Sequence, residues 1–113
     1  MLITVTGEVD ATNIAQLETY VTKKIVLDEP LVLDLGKLTF MGSAGLHVLL
    51  RLNATQREHG TSLHLAAVSG APARVLYTTG LWDALAIHPN VQRAITSSLN
   101  DHTVPHPAHA RRR

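Results

Sequence analysis

At 113 residues the chain is long enough for one domain with a packed core and too short for two. Its formal net charge is +1, and the only basic run is Arg111, Arg112 and Arg113, so the folded part carries no electrostatic footprint for nucleic acid. It has no cysteine for a disulfide, thiol nucleophile or Cys-type zinc site, no apolar run of about 18 residues to span a membrane, and no basic-then-apolar leader, so the expectation is a soluble cytoplasmic protein.

Leu2-Ile3-Thr4-Val5-Thr6 alternates with β-branched residues and reads as a strand closed by Gly7. Asp10 or Thr12 is placed to cap the next helix, which carries Ile14, Leu17, Val21 and Ile25 at helical spacing. Asp28-Glu29-Pro30 ends it, because the residue before a proline is pushed out of the helical region. The aliphatic run from Leu31 to Leu35 reads as a buried strand, followed by a Gly36-Lys37 turn. A helix-period pattern then begins at Ser43. It is expected to bury Leu46, Leu49, Leu50 and Leu52, to expose His47, Arg51 and Glu58, and to stop at His59-Gly60.

Ser62 to Val68 is the next strand, and Pro72 fits the first turn of a helix through Thr79 with Gly80 as its left-handed cap. Leu85 to His88 forms a short strand, and Pro89 opens a last helix of about two turns from Val91. From Asn100 onward the chain is polar and broken by Pro105 and Pro107. The expected organisation is therefore a domain over residues 1–99 and a disordered basic, His-containing tail over 100–113. Alternating strands and helices imply parallel strands joined by right-handed crossovers, giving a small α/β domain of about four strands with helices packed around a mostly parallel sheet.

The chemically addressable point is the small-residue junction Met41-Gly42-Ser43-Ala44-Gly45. Its glycines let a backbone or ligand approach closely, and Ser43 is its only hydroxyl, at a helix start with unpaired N–H groups. The plain alternative is that Ser43 is an N-cap worth about 1 kcal/mol, and Asp10 likewise. Periodicity leaves both readings open. Phosphate-loop and dinucleotide glycine motifs are absent. A hydrolase elbow fails because Met41 stands at its first glycine, and a Ser43–His47 pair one turn apart has no evident third member. Response-regulator chemistry fails on residues, since Asp10 and Asp34 stand singly and the strand ending at Val68 brings no acid. His102, His106 and His109 are separated by Pro105 and Pro107, so no metal site is expected, and no cofactor.

Three stretches resemble one family. Gly7-Glu8-Val9-Asp10-Ala11 is similar to the Gly-Glu-Leu-Asp turn of the STAS domain family, the anti-sigma factor antagonists. Leu33-Asp34-Leu35 followed by Phe40-Met41-Gly42-Ser43-Ala44-Gly45-Leu46 resembles its Asp-Leu and Phe-Met-Asp-Ser-Ser-Gly-Leu signature, and Thr79-Gly80-Leu81-Trp82 resembles its later Ser/Thr-Gly-Leu turn. The similarity runs from residue 2 to about 98, and the central signature is the most specific part.

The resemblance implies a switch and not an enzyme. Family members bind a cytoplasmic anti-sigma factor that is also a serine kinase and so free the sigma factor; phosphorylation of the helix-start serine ends the complex and a phosphatase resets it. Carried over by position, Ser43 is the phosphoacceptor, and the partner surface comprises Asp10, Gly42, Ser43, Ala44, Gly45, His47 and Arg51. The chain departs from the pattern in having Gly42 at the family's aspartate, Ala44 at its second serine, and no antiparallel strand before Leu2. The last departure leaves an open strand edge, from which weak self-association is expected. The alternative function is a STAS scaffold or small-ligand-binding regulatory subunit not switched by phosphorylation.

Overall fold

Leu31, Val32 and Leu33 are all buried, so the strand β2 (Leu31–Met41) is covered on both faces. That is the signature of an interior strand in a parallel sheet. The computed structural model describes residues 1–26 and 28–103, with side chains described no further than Asn100. Within these residues β1 (Leu2–Val9) leads through α1 (Ile14–Lys24) into β2, followed by α2 (Ser43–Glu58), β3 (Leu63–Ala66), α3 (Gly70–Thr78), β4 (Ala86–His88) and α4 (Val91–Thr103). The four strands are parallel and lie in the order β1-β2-β3-β4, as the strand–helix alternation implies. Among the described residues β1 pairs with β2 alone, and no antiparallel strand lies beside it.

Strand alternation divides the core into two layers. Leu31, Leu33 and Leu35 join Ile3, Val5, Leu63 and Leu65 beneath the first three helices, which contribute Val21, Leu46, Leu49, Leu52 and Leu76. Val32 and Ala66 point to the opposite face, where Val91 and Ala94 of α4 cover them. The helix ends are fixed by glycine. Gly60 (φ +73°) and Gly80 (φ +77°) occupy the left-handed region after α2 and α3. The following amides, Thr61 N–H and Leu81 N–H, donate back to Gln56 and Leu76 carbonyls at 2.9 Å. The polar Gln56 is buried and donates its side-chain amide to the Glu29 and Ser62 carbonyls.

The structure corrects several expectations. The Gly36-Lys37 turn is instead a bulge inside a continuous strand, because β2 gains one residue over β1 between Asp34 and Lys37. Asp34 Oδ1 accepts the Gly36 N–H at 3.0 Å, and a Cβ on Gly36 would stand 3.2 Å from the Ala67 methyl. β1 runs on through Gly7 to Val9, since Gly7 adopts φ +83° beside a second one-residue shift. Leu50 is not in the core but 37% exposed, because Leu46, Leu49, Leu52 and Gln56 already define the inward face of α2. β3 is shorter than Ser62–Val68, α3 starts at Gly70, and α4 is a helix of 13 residues. α4 therefore carries helix past the expected boundary at residue 99 to Thr103, and the remainder of the expected tail, 104–113, lies outside the described residues.

Candidate functional site

The site forms where two strand ends meet one helix start. Gly42 is the N-cap of α2, with φ −88° and ψ −173°, and it donates its N–H to the Val9 carbonyl at 3.0 Å. Its own carbonyl accepts Gly45 N–H at 3.0 Å and Leu46 N–H at 3.3 Å, which closes the first turn. The amides of Ser43 and Ala44 precede those bonds and point out of the helix end, as the first amides of any helix do.

Ser43 is thus the first helical residue and not the N-cap, which corrects the plain capping reading. The cap position belongs to Gly42, which has no side chain to serve it. The Ser43 side chain is exposed and its hydroxyl makes no hydrogen bond among the described residues. The first turn of α2 holds no acid, so the positive end of the helix dipole is uncompensated there.

The β1–α1 turn lies alongside through the Val9–Gly42 bond. Asp10 does not cap α1; Asn13 is the cap residue, and no side chain bonds the helix start. Asp10 instead closes a tight turn, accepting the Thr12 N–H at 2.9 Å and the Thr12 hydroxyl at 2.5 Å. The Thr12 hydroxyl first, and then its amide, hold the Asp10 carboxyl below the ordinary aspartate range. Asn13 locks the turn from the other side, accepting the Asp10 N–H and donating to the Glu8 carbonyl at 2.7 Å.

Of the residues expected at the partner surface, Ser43, His47 and Arg51 are exposed and follow one another at helical spacing on α2. Leu50 shares that face. Arg51 is not an unengaged cation: its Nε and Nη2 donate to Glu18 Oε2 and Oε1, each at 2.9 Å, linking α2 to α1. Asp10, Gly42 and Ala44 are half-buried at the edge of the surface. Gly45 does not belong to it. It is buried, and a Cβ there would lie 2.5 Å from Met41 Cγ and 3.3 Å from Val9 Cγ1, so its role is to let α2 approach the sheet.

One surface residue was not foreseen. Phe40 is 45% exposed, and its ring lies against Gly42, 3.6 Å from where a Cβ would stand. Strict alternation from Leu38 puts Phe40 in the core. The extra β2 residue between Leu38 and Phe40 reverses that, so that Leu38 and Met41 point inward and Phe40 outward. Phe40 and Leu50 add apolar area to an otherwise polar face around Ser43.

Among the described residues no group of His, Asp and Glu is arranged to hold a metal, and no helix is long and apolar enough to cross a membrane. A cavity of about 20 Å³ between α1, α2 and the sheet has Val5, Val21, Met41 and Val48 in its apolar wall. It is about the size of one water probe, too small for an organic ligand.

Comparison with known proteins places this geometry. The family profile of the STAS domain matches residues 1–94. The anti-sigma-F factor antagonist RsfA of Mycobacterium tuberculosis is 32% identical over 101 residues, covering 87% of this chain and 79% of that protein. The crystal structure of an anti-sigma factor antagonist from Mycobacterium paratuberculosis superposes with a TM-score of 0.74 at 30% identity, covering 87% of this chain and 84% of that one. The anti-sigma factor antagonist SpoIIAA, solved in its unphosphorylated form, shares the fold at 18% identity and a TM-score of 0.57, covering 88% of this chain and 87% of its own. With its profile match over most of the sequence and a relative of this identity and coverage, the chain belongs to the STAS domain family.

Proposed function

We propose that this protein is an anti-sigma factor antagonist of the cytoplasm, a binding switch without enzymatic activity. It binds an anti-sigma factor of the serine kinase type, frees the sigma factor, and is released when the kinase phosphorylates Ser43. A phosphatase returns it to the binding form. The relative RsfA and the solved antagonist from Mycobacterium paratuberculosis support the partner class by similarity. The observation that carries the reading is the Ser43 hydroxyl, exposed and unbonded among the described residues, at the first turn of a helix that lacks an acid. A phosphate there meets free amides and the positive end of the dipole, so the fold accommodates it. The same near-dianion pressed against a partner beside Phe40 and Leu50 must be desolvated, at a cost of several kcal/mol. The fold tolerates the charge and the complex does not.

The test is capture of native partners with wild type, Ser43→Ala and Ser43→Asp side by side, followed by affinity measurements on the captured anti-sigma factor. Ser43→Ala should bind as wild type and accept no phosphate. Ser43→Asp should bind roughly a hundredfold more weakly or worse. Equal affinity of Ser43→Asp and wild type would remove Ser43 from the interface. A second reading, a STAS scaffold that binds without phosphorylation, draws on Gly42, which stands where the family carries an acid beside the acceptor. Partner binding with no phosphate transfer to Ser43 would select it.

A further inference from the structure

His64 is 2% exposed, an ionisable ring enclosed between sheet and helix. The register sets it between Val32 of β2 and Ala86 of β4, with His88 beside Ala66. All of these lie on the sheet face that α4 covers through Val91 and Ala94, opposite the Ser43 face. His64 Nδ1 and His88 Nε2 are 2.9 Å apart, and the ring planes are inclined by 35°. The other nitrogen of His64, Nε2, is 2.9 Å from Ser62 Oγ. A chain of hydrogen bonds therefore joins Ser62 to His64 to His88 beneath α4.

A nitrogen–nitrogen hydrogen bond holds one proton. With both rings neutral, one donates and the other accepts, and the Ser62 hydroxyl suits either tautomer because it can give or take a hydrogen bond. A first added proton goes to whichever outer ring nitrogen the neutral tautomer leaves bare, His64 Nε2 or His88 Nδ1, and leaves the shared bond with its single proton. A second added proton puts N–H groups on both facing nitrogens and two positive rings in contact. We infer that His64 and His88 form a proton-counting latch: with at most one added proton they close β4 and α4 onto the sheet, and with two they open.

Among the described side chains, the groups around the pair leave this count intact. β2 presents Val32 and, paired with Ala66, the half-buried carboxylate Asp34, which accepts the Gly36 N–H; β3 presents Ala66, with Ser62 just before the strand, and β4 presents Ala86. α4 turns Ala94 and Ser98 inward, and the charged residue among its described side chains, Arg93, is exposed. Its other titratable residues, Asp101 and His102, lie past the described side chains. A nearby carboxylate would favour a charged ring, yet it would not let two N–H groups face each other at this separation. The opened or unfolded chain takes both protons in the ordinary imidazole range, near pH 6.5. It therefore binds more protons than the closed form at acid pH, so closure is fully stable above that range and is lost as pH falls below it.

The experiment is an imidazole ¹⁵N NMR titration of the full chain from pH 8 to pH 4, with amide hydrogen exchange followed in parallel. As the second ring proton appears, exchange corrected for intrinsic rate should rise at least about tenfold at Ala94, Ile95 and Ser98, while Val48, Leu49 and Leu52 of α2 stay protected. His88→Gln keeps a hydrogen-bond partner for His64 without a second charge, and its α4 should stay protected through the same range. Three results would each overturn the latch: α4 protected with both rings charged, α4 and α2 losing protection together, or His88→Gln opening at the same pH as wild type. Should that variant fail to fold, the wild-type titration decides alone.

Discussion

Gly42 donates its backbone N–H to the Val9 carbonyl across 3.0 Å, tying the end of β1 to the residue that caps α2. The bond makes the Asp10 turn and the Ser43 helix start one surface, although Asp10 and Gly42 are 32 positions apart in the chain. It also explains why a residue without a side chain suffices at the cap. The Gly42 backbone is already held by the sheet on one side and by Gly45 and Leu46 on the other.

Ser43 should therefore be nearly silent in stability. Its hydroxyl serves no cap, so Ser43→Ala should change the unfolding free energy by no more than about 0.5 kcal/mol. Ser43→Asp places an acid in a first turn that has none and should stabilise by ~0.3–1 kcal/mol at low ionic strength. Urea denaturation of the three proteins checks both. A loss above ~1 kcal/mol in Ser43→Ala would show that the hydroxyl caps the helix after all.

Gly45 is a packing residue, and a methyl there should act oppositely to the helix-propensity rule. In an exposed helix Gly→Ala gains about 1 kcal/mol. Here the new Cβ would fall 2.5 Å from Met41 Cγ, in mid side chain, with Met41 Sδ and Val9 Cγ1 both at 3.3 Å. Met41 is itself 2% exposed and has little room to retreat, so Gly45→Ala should cost ~1–3 kcal/mol net. Thermal and urea unfolding read this directly. A neutral or stabilising result would mean that Met41 swings into the small cavity beside it.

Much of the fold was legible because its signals are local. The aliphatic run Leu31–Leu35, the glycine caps at Gly60 and Gly80, and the 3.6-residue pattern of α2 each follow from a few neighbouring residues. The departures lie where long-range pairing decides. Nothing within β2 says that it outgrows β1 by a residue before Phe40, and that single shift turns the aromatic ring to the surface. The Glu18 partner of Arg51 and the Val9 neighbour of Gly45 are equally invisible along α2, because both lie on distant elements.

The outer edge of β1 should mediate weak self-association. Val32 N–H donates to Met1 O at 2.8 Å, and Leu2 is the residue paired with Val32. In a parallel ladder the backbone groups of Leu2 and Thr4 then point away from β2. Leu2 is also 47% exposed. An open edge of this kind templates pairing, and a lysine on it disfavours pairing. Sedimentation velocity over a concentration series should show association for wild type and less for Leu2→Lys. A wild-type monomer at millimolar concentration would rule this out.

The Arg51–Glu18 pair gives a prediction in pH. The hydrogen bond from Arg51 holds the Glu18 carboxyl below the ordinary glutamate range, and Glu18 in turn raises the Arg51 guanidinium. A carboxyl with a depressed midpoint in the folded state binds fewer protons than in the unfolded chain, so stability from it rises with pH. The contribution is complete above the unfolded glutamate midpoint, near pH 4.3, and is lost as pH falls through the lower folded one. Both side chains are substantially exposed, so the effect is small and screened by salt. Carboxyl ¹³C titration should place the Glu18 midpoint below the ordinary glutamate value. Arg51→Gln should return it to the ordinary range, and the stability difference between the two proteins should be present at pH 7 and gone once Glu18 is protonated. Because Arg51 sits on the Ser43 face, a partner that takes its guanidinium must release Glu18, and the Glu18 midpoint should then rise on complex formation. An unshifted midpoint in the complex would leave Arg51 with Glu18 and outside the interface.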